Sequence, residues 1–199
     1  MILFISLKTR EKIMKKTSAL SGIFLLLAAC SSFESYEYRN ADALYISFIK
    51  PSEWGRGVFE SPFPPSMLCK SEGGVGKTPA LYVENIPENA NLLIMEINNL
   101  TNPALAYDGG MGSIGFYHEQ GQGEATLLPV SGETFRLPKY AFLEKPNRVN
   151  VNKPYAYMPP CTVKGGEYSA TIKAVRRTGS FDKQRTDVLA VGTIYLGDY

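Results

Sequence analysis

The sequence predicts a mainly β protein, a single-domain β-sandwich or layered sheet with a few short helices. Twelve tyrosines, 18 glycines and 13 prolines among 199 residues favour strands and tight turns. No segment shows the apolar spacing of a long amphipathic helix. The segment from Tyr168 to Val175 alternates as a half-buried strand does, with Tyr168, Ala170, Ile172 and Ala174 on one face and Ser169, Thr171 and Lys173 on the other.

Short apolar or β-branched runs between turn residues predict the strands. Two further segments, Ala141–Glu144 and Asp182–Leu189, are predicted to form short helical turns, and Pro51–Pro65 to form an irregular aromatic loop. The predicted strands are Ala43–Phe48, Leu81–Val83, Asn91–Asn98, Ser113–Tyr117, Ala125–Val130, Thr134–Leu137, Tyr168–Val175 and Val188–Leu196.

Residues 1–29 have the features of a bacterial lipoprotein signal peptide. Lys15 and Lys16 precede the apolar run Leu20–Ala29, which is shorter than the roughly 20 residues that span a bilayer. Leu27-Ala28-Ala29-Cys30 then resembles the bacterial lipobox. We therefore expect cleavage before Cys30 and acyl chains such as palmitate on it, since two or three chains give stable anchoring. Residues 1–13 fit the signal poorly, which indicates Met14 as the true start.

The residues after Cys30 indicate where the protein is anchored. Ser31 and Ser32 fit retention at the outer membrane, whereas Asp in this place would indicate the inner membrane. Polar residues continue to Asp42, so residues 30–42 are predicted to be a lipidated tether that reaches at most about 40 Å. Residues 43–199 are predicted to form one globular domain that faces the periplasm.

The charge balance excludes nucleic acid as a partner. The whole chain has a formal charge of +2, but residues 1–29 contain five of its basic residues and one acidic residue. The remaining 170 residues carry 16 basic and 18 acidic side chains, a net charge of −2. Neither nucleic acid nor an anionic lipid surface is expected to bind such a chain.

Gly73–Thr78 is similar to the end of a phosphate-binding loop, but Ser71 replaces its first glycine, so no nucleotide is expected.

Two cysteines, Cys69 and Cys161, remain once Cys30 is lipidated. In an oxidising compartment a disulfide is the first expectation, and two buried thiols are the alternative.

His118 is the single histidine, so a zinc site has too few ligands and no metal or other cofactor is expected. A hydrolase would need His118 or a buried carboxylate as its base, and the chain is therefore predicted not to be an enzyme.

Three separated segments match one family pattern in order. The first runs from Cys69 through Thr78-Pro79-Ala80-Leu81 to the strand that ends at Ile97. The second runs from Tyr157-Met158-Pro159-Pro160-Cys161 through Gly165 to Val175, and the third from Val188 to Tyr199. Together they resemble the phosphatidylethanolamine-binding protein family, especially its bacterial members related to Raf kinase inhibitor protein. The resemblance implies that family's β fold, and it places Cys69 and Cys161 where exported relatives carry cysteines.

The resemblance also implies an anion pocket that has lost its charged groups. The family pocket uses an aspartate and two histidines; here Asn98 replaces the aspartate, a glycine-rich segment replaces one histidine, and Glu167 or Gly166 the other. Asn98 can exchange hydrogen bonds but supplies no charge. The pocket candidates are Asn98, Tyr107, Asp108, His118, Tyr157 and Glu167.

Two functions follow from these features. The first is a non-catalytic binding module of the envelope that holds a small polar ligand or a protein partner through a degenerate anion pocket. The alternative is a structural or assembly lipoprotein of an envelope complex, which would dock through the aromatic loop from Phe48 to Phe63, with Trp54 and Phe59.

The anchor predicts the mass of the intact protein. Expressed in a bacterium with normal lipoprotein processing, the chain should begin at Cys30 and carry acyl chains on that residue. Mass spectrometry of the intact protein measures both properties at once. Unacylated protein that begins before Cys30 would contradict the prediction.

Overall fold

Nine strands form two sheets in this computed structural model, which describes residues 37–49, 67–161, 166–180 and 183–198. The strands are β1 Glu37–Ala43, β2 Tyr45–Phe48, β3 Leu81–Glu84, β4 Leu92–Asn99, β5 Gly112–Tyr117, β6 Glu124–Leu127, β7 Ala141–Lys145, β8 Glu167–Thr178 and β9 Arg185–Asp198. A short 3-10 turn, Lys70–Glu72, precedes β3.

The larger sheet has six strands in the order β1-β9-β8-β4-β5-β7, and the smaller has three in the order β2-β3-β6. Neighbouring strands are antiparallel except β1, which pairs in parallel with β9. The predicted mainly β class with two layers is confirmed.

The main core lies between the two sheets. Alternate residues of β4, such as Leu93, Met95 and Ile97, pack in one buried cluster with side chains of the smaller sheet. The smaller sheet contributes Leu81, Val83 and Leu127 to that cluster. The alternation predicted for β8 is confirmed, because Tyr168, Ala170, Ile172 and Ala174 all belong to the same cluster.

Strand β4 is buried along its whole length, on both of its faces. On the face away from the smaller sheet, Leu92 and Ile94 pack with Val175 and Val188 in a second apolar cluster. Further along the same face, Lys173 Nζ lies 2.7 Å from Glu96 Oε1, and both side chains are almost completely buried. The sequence pattern of β4, apolar on both faces, predicts its central position in the sheet.

Two of the predicted elements are wrong for reasons of tertiary pairing. Ala141–Glu144 forms β7, not a helical turn, and the ring of Phe142 lies over Gly115 on β5, where a Cβ would come within 2.1 Å. Thr134–Leu137 does not form a strand. Glu133 has a φ of 52°, and its N–H donates to the carbonyl of Tyr157, which holds the chain in an irregular course.

The ends of the domain also differ from the expectation. The last part of the predicted tether, residues 37–42, belongs to β1, because its backbone finds partners along β9. The predicted helical turn Asp182–Leu189 is wrong in its described part, where β9 begins at Arg185 and pairs with β8 across a turn at Gly179.

Several predictions concern residues outside the described ranges. These are the signal peptide, Cys30, the first part of the tether, and Trp54, Phe59 and Phe63 of the aromatic loop. Within the described ranges, no helix has the length and apolarity needed to cross a membrane.

The buried pair of Glu96 and Lys173 predicts an asymmetric response to mutation. Lys173→Met leaves the Glu96 carboxylate buried without its cation and should lower the free energy of unfolding by about 3–5 kcal/mol. The double variant Glu96→Leu, Lys173→Met removes both charges and should lose much less. Denaturant unfolding monitored by circular dichroism measures both changes.

The exposed pair of Arg185 and Asp187 supplies the control, with Nε and Oδ1 2.9 Å apart. Asp187→Asn should cost less than about 1 kcal/mol, because solvent screens this pair. A loss for Lys173→Met no larger than this control would show that the buried pair makes no special contribution.

Candidate functional site

The loop between β4 and β5 is held by Asn98. The Asn98 side-chain oxygen accepts hydrogen bonds from the N–H groups of Gly109, at 2.9 Å, and Gly110, at 3.2 Å. Asp108 and Gly109 both have positive φ, so the chain reverses sharply here before it enters β5. Asn98 is buried and acts as the acceptor that fixes this turn.

Asn99, the next residue, organises the start of the same loop. Its side-chain oxygen accepts from the N–H groups of Thr101, at 3.1 Å, and Asn102, at 3.3 Å. Its side-chain nitrogen donates to the hydroxyl of Tyr168 on β8, 3.2 Å away. The end of β4 is therefore tied both to the loop and to the neighbouring strand.

Arg148 binds the far side of the loop. Its guanidinium donates to the carbonyls of Ala104, Tyr107 and Asp108, with the shortest distance, 2.6 Å, to Tyr107. The Asp108 carboxylate accepts from Lys145 Nζ at 2.6 Å and lies 4.0 Å from the guanidinium. Two cations and one carboxylate therefore meet at this loop, and their hydrogen bonds hold its backbone in place.

The segment before Cys161 packs closely against this loop. The N–H of Met158 donates to the carbonyl of Met111 at 2.8 Å, and the N–H of Cys69 donates to the carbonyl of Pro160 at 2.9 Å. At Gly112 a Cβ would lie 2.1 Å from the carbonyl oxygen of Ala156, so a side chain does not fit there. Glycine at this position is what lets the two segments meet.

A cavity of about 280 Å³ lies between the β4–β5 loop, Arg148 and Val149, and the segment that ends at Cys161. Most of its wall is apolar, and a few polar groups converge on it from Asn99, Asn102 and Tyr168. A concave, mainly apolar site with few polar groups is the usual form of a small-ligand site, and this volume suits a small ligand.

Tyr157 lies beside the cavity with its hydroxyl buried. The side chain is 1% exposed, and the hydroxyl has no hydrogen-bond partner in the part of the chain that the structure describes. Burial raises the pKa of Tyr157, and the neighbouring groups of Tyr168, Cys161, Cys69 and Glu133 raise it further. A buried hydroxyl without a partner carries an unmet desolvation cost.

Cys69 and Cys161 are both free thiols, so the predicted disulfide is not formed in this structure. The Cys69 sulfur lies 3.0 Å from the hydroxyl of Ser71, and the Cys161 thiol donates to the carbonyl of Pro159 at 3.2 Å. Burial raises the pKa of the Cys161 thiol, and a hydrogen bond with the Cys69 thiol raises it further. The two sulfurs are therefore neighbours, and Cys161 also lines the cavity.

Of the six predicted pocket residues, Asn98, Tyr107 and Asp108 belong to the loop beside the cavity, and Tyr157 lies next to its wall. His118 is at the other end of β5, where its Nε2 lies 2.9 Å from the carbonyl of Gln122. Glu167 is exposed, and its backbone N–H donates to the hydroxyl of Thr101. Among the described residues that line the cavity, none is one of these six.

The sequence missed Asn99, Tyr168 and Arg148 as wall residues. Asn99 directly follows the predicted residue Asn98. The two side chains lie on different faces because alternate residues of β4 point to opposite faces. For Arg148 no local signal exists, since its carbonyl partners lie about 40 residues earlier in the chain. In the described ranges, no group of three or more His, Cys, Asp or Glu side chains is placed to hold a metal ion.

A scan against protein-family models found no match, and a search of curated proteins found none. Among solved structures, the chain is similar to a crystal structure described as a phosphatidylethanolamine-binding protein homolog from Chlamydia trachomatis. The TM-score is 0.42 and the identity 18%, over 77% of this chain and 98% of the other. The family named for that structure is the one that the three sequence segments resemble.

The hydrogen bonds of Asn98 predict a structural role that mutation can measure. Asn98→Ala leaves the N–H groups of Gly109 and Gly110 buried without an acceptor and should lower the free energy of unfolding by about 2–4 kcal/mol. Asn102 supplies the control, because its side-chain oxygen makes the same kind of bond to the N–H of Ala104 at an exposed site. Asn102→Ala should cost less than about 1 kcal/mol, and equal losses in thermal and denaturant unfolding would contradict this role.

Proposed function

We propose that this chain is a non-catalytic binding module, anchored to the outer membrane through lipid on Cys30 and facing the periplasm. The ligand site is the cavity beside the β4–β5 loop. The observation that carries this proposal is a mainly apolar cavity on which a few polar groups converge.

The charge of the cavity wall opposes a simple anion as the ligand. Arg148 is the one charged side chain of the wall within the described residues, and its guanidinium is occupied by three carbonyl groups and the Asp108 carboxylate. A phosphate group in the cavity would meet no cation with free donors directed at it, and its burial would be costly. This supports the loss of anion binding that the resemblance implies.

The position of His118 supports a binding function over a hydrolytic one. His118 follows the last residue of β5, and the cavity lies at the first residue of that strand. A six-residue strand separates the two by about 20 Å. The single histidine of the chain therefore stands too far from a ligand in the cavity to act as its general base.

The anchor and the domain fit this function together. A signal peptide followed by a lipidated cysteine places the domain outside the inner membrane, where a lipid anchor keeps it close to the membrane surface. The chain from Cys30 onward has a formal charge of −2, so the lipid and not basic residues would hold it at the membrane. A module held at the membrane can bind and retain a small ligand.

Native mass spectrometry of the protein purified from its envelope tests the proposal. The native mass should exceed the covalent mass by that of a bound small ligand, and the excess should disappear on denaturation. Val149→Trp, which fills the mouth of the cavity, should abolish the excess mass. Equal native and denatured masses of the unaltered protein would contradict the proposal.

A matched control comes from the same loop. Val151 is 81% exposed and does not line the cavity, whereas Val149 is 44% exposed and does. Val151→Trp adds the same bulk and should leave the bound ligand in place. Loss of the ligand in both variants would place its site elsewhere.

A further inference from the structure

Four sulfur-bearing side chains meet at the cavity. Met111, Met158 and Cys161 line it, and Cys69 lies next to Cys161. They come from three separate parts of the chain, so their meeting is a property of the fold. Thioether and thiol groups together form a set of soft metal ligands.

The backbone holds these residues in a defined arrangement. The hydrogen bond from Met158 N–H to the Met111 carbonyl joins the backbones of the two methionines. The hydrogen bond from Cys69 N–H to the Pro160 carbonyl places the two cysteines together in the same way. Met111 is 4% exposed and Cys69 is completely buried, whereas Met158 and Cys161 are partly exposed.

Sulfur ligands select a particular class of metal. Thioether and thiolate groups are soft ligands and favour Cu(I), whereas Mg²⁺, Ca²⁺ and Mn²⁺ prefer oxygen. A methionine side chain has three rotatable bonds, so both thioethers can turn toward a common point in a cavity of this size. Two methionines and one cysteine thus line the same cavity.

The charge balance also favours a monovalent ion. One Cu(I) with one thiolate and two thioethers has no net charge, which suits a mainly apolar site. A divalent ion with the same ligands would leave a positive charge, and the cations of Arg148 and Lys145 already accompany Asp108.

We propose that the cavity binds one Cu(I) ion through the sulfur atoms of Met111, Met158 and Cys161. This inference rests on the proposed function of the cavity and names the chemical class of its ligand. As the bond between Cys161 sulfur and copper forms, the thiol proton leaves to solvent and copper keeps its oxidation state. Cys69 remains a thiol, beside Ser71, and acts as a positioning residue for the sulfur of Cys161.

Competition between the protein and the chromophoric Cu(I) chelator bicinchoninate tests this site. The experiment uses the full chain with Cys30→Ser, reduced and kept under argon, so that only Cys69 and Cys161 supply thiols. We expect one Cu(I) per chain. Cys161→Ser should lower the affinity by about 100-fold or more, and Met111→Leu and Met158→Leu by about tenfold each.

Two variants separate ligands from neighbours. Cys69→Ser should lower the affinity by less than about tenfold, because it alters the position of a ligand and not a ligand itself. Met95→Leu, in the core of β4 and outside the cavity, should leave the affinity unchanged. Copper X-ray absorption of the loaded chain should show sulfur neighbours, with fewer in the Met111→Leu, Met158→Leu double variant.

The outcomes distinguish this inference from the function on which it rests. An affinity for Cu(I) that the sulfur variants leave unchanged, or no binding, overturns the copper site. If the native mass of the purified protein still contains an organic ligand that Val149→Trp removes, the binding function stands without copper. If neither copper nor any other ligand depends on the cavity, both proposals are wrong.

Discussion

The burial of β4 on both faces is the constraint on which the rest of the structure depends. Its eight residues are all buried between β8 and β5, which determines the register of the three central strands. One face of β4 forms the main core with the smaller sheet, and the other carries the second apolar cluster and the buried pair of Glu96 and Lys173. A shift of one residue would turn Glu96 toward the main core and away from Lys173. The strand can therefore end only where it does, with Asn98 and Asn99 at the start of the loop.

The end of β4 at Asn98 and Asn99 explains why the cavity presents little free charge. Asn98 supplies the acceptor that two buried glycine N–H groups need, and Asn99 joins the loop to Tyr168. Arg148 donates hydrogen bonds to carbonyl groups of the loop, so its guanidinium stabilises the loop backbone. With the local cations engaged in this way, the cavity wall is left with apolar, amide and sulfur groups. The proposed binding of Cu(I) follows from the sulfur groups among them.

Most of the core could be read from the sequence, but the edges of the sheets could not. The alternation of β8 and the continuous apolar run of β4 indicate which faces are buried, because the polarity of each residue reflects the burial of its own position. Ala141–Lys145 has no such pattern and becomes a strand because β5 offers a pairing edge with Gly115 under Phe142. The site was predicted one residue from its place: Asn98 holds the loop, while Asn99 faces the cavity.

By itself the sequence determined the fold class, the central strands and the expectation of an export signal before Cys30, since each depends on residues that are close together in the chain. Only the tertiary structure decided that Cys69, Met111, Met158 and Cys161 meet, and that the two cysteines are adjacent as thiols. These contacts join segments that are tens of residues apart, and no local pattern records them. Backbone hydrogen bonds at Cys69, Met111 and Met158 hold these segments together in the folded structure.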